Sequence, residues 1–136
     1  MNNQTKIALI WIILVICMIL HFDYHVSGIF YGIDVKRPDA TGVQPPTLIL
    51  IRAMFQILPM IWALAVMFFA SKIYRTINLI TAIMYVPLHG MHIVGTLKET
   101  PLDPTQLQLL VFTFLVSIIL ALVSFKWWKE LKTQAI

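Results

Sequence analysis

The histidines of this chain come in two close pairs: His21 and His25 four residues apart in "HFDYH", and His89 and His92 three apart in "HGMH". On a helix either spacing puts both rings on one face. Two such pairs from two helices supply nitrogen donors for a tetrahedral or tetragonal Zn, Cu or Fe site. Axial imidazoles from neighbouring helices of a bundle can also hold a haem iron. A quinone redox site and general acid or base work by Asp23 or a histidine are the remaining options. Covalent catalysis has less support, because no Ser or Cys stands beside a base with a third orienting group. The single cysteine, Cys17, rules out a disulfide framework and a redox cysteine pair. These features point away from an enzyme more than toward one.

The elements that must carry these side chains are unusually apolar. Of the 136 residues 60% are hydrophobic and 12% charged, with a mean hydropathy of +0.86. A soluble domain of this size could not hide so much apolar surface. Crossing a hydrocarbon layer of about 30 Å takes roughly 20 helical residues, and four runs are long enough, near residues 6–26, 48–71, 74–95 and 105–128. None alternates with a period of two, so the runs read as helices. The expected fold is all-α, an integral membrane bundle of four transmembrane helices forming one domain, 1–136, with a long loop at 28–47. The first run is too long for a signal peptide and lacks an A-x-A-like cleavage site, so it reads as retained.

The net charge of +4 would suggest nucleic acid in a soluble protein. Here the cations flank apolar runs and act as topology signals, so no nucleic-acid partner is expected. With the N-terminus cytoplasmic, that side collects Lys6, Lys72, Arg75, Lys126, Lys129 and Lys132. The other side has Lys36, Arg37, Arg52 and Lys98, together with Asp23, Asp34, Asp39, Glu99 and Asp103. Both termini are therefore expected inside, with Trp127 and Trp128 of "FKWWKELK" as an inner-face aromatic belt. In "TPLDPTQ", Asp103 reads as an N-cap, Pro104 as the first helical residue and Gln106 as the partner of a capping box. The loop segment "GIFYGI" is apolar enough to lie on the membrane surface.

Projected onto helices, the polar residues form stripes. Asn78, Thr81, Tyr85, His89 and His92 share a face of the third helix. Gln106, Thr113, Ser117 and Ser124 line the fourth, and Arg52, Gln56, Pro59 and Ala63 the second. Polar groups avoid lipid, so the stripes should converge inside the bundle. The heavier groups (Asp23, Arg52, Gln56, Tyr85, His89, His92, Gln106) all fall in the outer half, which suggests an outward-facing polar cavity rather than a through-pore. In the first helix Asp23 is turned about 200° from His21 and His25, at roughly 100° per residue. Either the imidazoles face inward, or Asp23 does and pairs with Arg52. A metal site would draw on His21, His25, His89 and His92.

The order of features also carries a resemblance. It comprises a first helix ending "FDYH", a Gly-containing outer loop, a second helix with a mid-span proline ("FQILPMIWAL"), then "YRTINLITAIMY" and a last helix ending "FKWWKE". Over nearly its whole length the chain resembles a family of small four-helix bacterial membrane proteins catalogued as a domain of unknown function. The resemblance implies a multi-pass protein of the bacterial inner membrane and no particular activity. The expected function is small-ligand binding, or a transport-accessory or subunit role, in a bilayer and with a homo-oligomer in prospect. The alternative is a metal, haem or quinone redox membrane protein.

Overall fold

The structure, a computed structural model, describes residues 1–36, 41–99 and 102–133, with side chains to Glu130. Arg37, Asp39, the first two residues of "TPLDPTQ" and the Lys132 side chain lie outside the description. All regular structure among the described residues is helical, with no strand.

Helix α1 spans Asn3–Ser27. It begins three residues before its apolar run because Asn2 caps it: the Asn2 side-chain oxygen accepts from the Thr5 N–H and the Thr5 hydroxyl, each at 2.8 Å. A 3-10 turn, Gly28–Tyr31, follows and closes on Gly32 in the left-handed region at φ +72°, where the absence of a Cβ removes the steric penalty. Gly28 and Gly32 thus serve this turn. The second apolar run is broken into α2 (Pro46–Arg52), a π turn (Ala53–Ile57) and α3 (Leu58–Phe68). Pro45 is extended and Pro46 opens α2, as two consecutive prolines dictate. Ser71 caps α4 (Lys72–Thr96) by accepting from the Tyr74 N–H. The last helix, α5, is Pro104–Thr133.

Four spans, Asn3–Tyr31, Pro46–Phe68, Lys72–Thr96 and Pro104–Glu130, are long and apolar enough to cross a membrane. They run in alternating directions. Both α3 and α5 pack on α1, and α4 packs on α5. Large side chains bridge the seam between the second span and α4. Trp62 meets Tyr74 at 5.5 Å, Phe55 meets Tyr85 at 6.1 Å, and the Tyr74 hydroxyl donates to the Trp62 carbonyl.

Polarity is inverted relative to a water-soluble bundle. Leu9, Ile12, Ile16, Ile61, Leu64, Ile80, Met84, Phe112, Leu115 and Leu122 are exposed, whereas Asn78, His89, Thr113, Ser117 and Ser124 are buried along the axis. Thr113 and Ser117 settle their hydroxyls on the carbonyls of Leu109 and Phe114 in their own helix. Asn78 does more. It accepts from Trp11 Nε1 at 3.2 Å and donates to Ser124 Oγ at 3.0 Å, tying α1, α4 and α5 together.

At the end that carries the chain termini, Arg75 organises a clasp. Its Nε donates to the Ala70 carbonyl at 3.0 Å and its Nη1 to the Trp127 carbonyl at 2.8 Å, with Glu130 at 3.7 Å. Asn3 donates to Glu130 at 2.6 Å, and Gln4 to the Val66 carbonyl at 2.6 Å. All four spans meet here. Trp127, expected in a lipid-facing belt, is buried instead, because the Arg75 guanidinium lies 4.7 Å over its ring. Trp128 donates to Thr76 at 3.1 Å.

At the other end Asp103 starts α5, accepting from the Thr105 N–H at 2.8 Å and the Thr105 hydroxyl at 2.6 Å. The hydroxyl above all holds this carboxyl below its ordinary range, with the Thr105 and Gln106 N–H groups adding to it. A depressed pKa adds stability that is present above the unfolded-state value and is lost as pH falls through the folded-state value. Asp103→Ala should therefore cost about 1 kcal/mol at neutral pH. Thermal unfolding in detergent should show the gap to wild type closing on acidification.

Candidate functional site

All four histidines gather at the end opposite the termini. His21 projects from the fifth turn of α1 into the bundle and is buried, and His25 one turn on is exposed. Their rings lie 4.6 Å apart at 76°, with Nε2 to Nε2 at 3.2 Å. From α4, His92 meets His21 edge to face, also at 4.6 Å. Helices α1 and α4 therefore do bring their imidazoles together. Gln106, from the first turn of α5, is buried and places its amide nitrogen 3.2 Å from His25 Nδ1. It reaches both His25 and the Asp103 carboxyl at the start of α5.

His89 lies one turn below His92 and is almost wholly buried, against Phe55 at 5.3 Å and Tyr85 at 5.9 Å. Neither of its ring nitrogens has a hydrogen-bond partner in the protein, and His21 Nδ1 and Gln106 Oε1 are buried in the same condition. Four orphaned polar atoms within one small region stand out, since most buried polar groups are paired.

The remaining expected site residues fall elsewhere. Of the two alternatives for "HFDYH", the imidazoles face inward and Asp23 is exposed. Arg52 lies 5.6 Å over the Phe22 ring, so the expected Asp23–Arg52 ion pair is not formed. The π turn accounts for the second span. The Leu58 N–H donates to the Ala53 carbonyl, five residues back, and the extra residue rotates everything above it. Phe55 consequently takes the inward position, with its ring on Tyr85, His89 and His92. Gln56 is half-buried and no hydrogen bond ties it to the cluster.

Tyr85 has a structural partner. With Leu58 donating to Ala53 and Pro59 lacking an N–H, the Met54 carbonyl has no helical donor. The Tyr85 hydroxyl donates to it across the seam. Sequence reasoning missed both Phe55 and this strut, and the mid-span Pro59 was the only available signal.

The geometry limits the chemistry. Among the described residues no three His, Cys, Asp or Glu side chains converge closely enough to hold a metal ion. The four-histidine set therefore does not form, since His89 faces Phe55 and Tyr85. Imidazoles that touch edge to face leave no gap for the macrocycle that a bis-His haem interposes between its ligands. Below the cluster, Tyr85, Trp11, Asn78 and Ser124 fill the axis with mutually satisfied groups. Two surface grooves, of about 250 and 400 Å³, lie along Ala53–Ile61 and beside Asn2, Gln4 and Met67, and neither is lined by the histidines. Compared with protein-family models, curated proteins and solved structures, the chain matches none.

Proposed function

We propose that this is a multi-pass protein of the bacterial cytoplasmic membrane, both termini inside, that binds a small ligand at its outer, histidine-bearing end. A transport-accessory or complex-subunit role, with self-association as an option, belongs to the same reading. The apolar exterior around a polar axis supports the location. The cation bias toward the terminal end supports the orientation.

One observation carries the binding reading: His21, His89 and Gln106 bury four polar atoms without protein partners. An orphaned buried donor or acceptor costs about 1–3 kcal/mol, and a ligand that bonds to these atoms recovers that cost. The filled axis beneath them favours a blind site over a pore.

The test is a thermal-unfolding screen of the full chain in detergent with Zn²⁺, Cu²⁺, Ni²⁺, small carboxylates and a short-chain quinone. A ligand at 100 times its Kd adds about 2.7 kcal/mol to stability. At least one probe should raise the Tm of wild type by several degrees and raise that of His89→Ala or of Gln106→Ala much less. If every probe acts equally on all three proteins, or on none, the binding reading is wrong.

A further inference from the structure

We infer that His21 and His25 form a binding site for a single divalent transition-metal ion, with Gln106 as the residue that orients His25. The inference rests on the ligand-binding reading above and names a ligand class for that end of the bundle, with the ion held by two Nε2 atoms beside the orphaned ones. It starts from a spacing. Two imidazole nitrogens bound at about 2.0–2.1 Å to one tetrahedral ion lie roughly 3.3–3.4 Å apart. His21 Nε2 and His25 Nε2 are 3.2 Å apart and share a hydrogen bond, with their rings at 76°, so an ion of this size takes the place of the shared proton, which moves to a ring Nδ1, and the helix geometry need not change. The i, i+4 spacing on α1 holds them there.

The second observation is Gln106. A metal-bound imidazole typically donates its other ring N–H to an oxygen acceptor, which fixes the tautomer and leaves the ligating nitrogen free. The two ends of a carboxamide exchange places by a half-turn. With Gln106 turned so that Oε1 faces His25 Nδ1, the oxygen gains a donor and His25 Nε2 keeps its lone pair for the ion, while the amide nitrogen leaves His25 and Asp103. A carboxamide buried on α5 and reaching across to a histidine of α1 is explained by this role.

Among the described residues no third protein donor is in place. The remaining coordination positions fall to water, to a substrate, or to His92, whose ring already touches His21 from α4. Exposed His25 opens the site to the aqueous phase at that end. A two-imidazole donor set selects the later first-row divalent ions, with Cu²⁺ tightest, over Mg²⁺ and Ca²⁺. Asp23 is turned away and plays no part.

The experiment is Cu²⁺ titration of the full-length, detergent-solubilised chain, read by calorimetry and by electron paramagnetic resonance. One ion per chain with nitrogen hyperfine coupling is expected. His25→Ala, an exposed position, should remove tight binding, and so should His21→Ala. Gln106→Leu should weaken binding about 10–100-fold, with recovery in Gln106→Glu, while Asp23→Asn should bind as wild type. Less than one ion per chain, or undiminished binding by His25→Ala, overturns the metal site. If that happens while a carboxylate or quinone still stabilises wild type in a Gln106-dependent way, the broader binding reading stands and only the metal falls. If nothing stabilises it, both fall.

Discussion

Asn78→Leu is expected to destabilise the protein by about 2–3 kcal/mol, measured by reversible unfolding in detergent or mixed micelles. Leucine keeps the branched outline of asparagine but is bulkier, so the substitution opens no cavity, and overpacking adds to the polar loss at this wholly buried site. Asn78 accepts from Trp11 and donates to Ser124 in the wholly buried middle of the bundle. Ser124 can follow Thr113 and Ser117 and return its hydroxyl to its own helix. Trp11 cannot, because an indole N–H is a donor with one direction, fixed by packing against Trp62 and Tyr85. The expected loss therefore exceeds the roughly 0.6 kcal/mol typical of interhelical hydrogen bonds in bilayers, where the unfolded reference also finds partners. Trp11→Phe in the Asn78→Leu background should recover part of the loss by removing the orphaned donor. A change below about 0.5 kcal/mol on Asn78→Leu would show that the three-helix tie carries no weight.

How far the sequence foretold this arrangement depended on the helix. In α5 a seven, four, seven spacing picked out Gln106, Thr113, Ser117 and Ser124, and all four are buried. In α4, Asn78, Tyr85 and His89 follow the pattern, while Thr81 is half-buried and bonds back to Ile77. Period alone could not separate a hydroxyl that ties helices from one content with its own backbone. For α1 the spacing of His21, Asp23 and His25 showed that all three could not point inward, but choosing between them required the neighbours: His92 and Gln106 take up the imidazoles. The second span was misread for a physical reason. A straight 3.6-residue projection assumes one register throughout, and the π turn adds a residue at Ala53–Ile57. That moves Phe55 onto the face the projection gave to Arg52 and Gln56. Trp127 was misread because a Trp-Lys cluster at a helix end ordinarily marks an interface, whereas Arg75 draws this ring inward.

The π turn also makes the sharpest prediction about the seam between the second span and α4. Tyr85→Phe removes the hydroxyl that donates to the Met54 carbonyl and is expected to cost about 1–3 kcal/mol, with almost no change in packing. The need for that donor originates in Pro59, which cannot donate, and in the Leu58 N–H, which is committed to Ala53. Pro59→Ala restores an N–H and permits the turn to relax to α register, in which Leu58 itself donates to Met54. In that background Tyr85→Phe should cost far less, giving a coupling of about 1 kcal/mol or more in a double-mutant cycle. Relaxation removes one residue from the turn and so swings Phe55 by roughly 100°, away from His89 and His92. Pro59→Ala should therefore also alter ligand binding at the histidine end without touching it. Equal costs for Tyr85→Phe in both backgrounds would break the link from Pro59 to Met54 to Tyr85. The π turn would then have to be held by the aromatic packing of Phe55 alone.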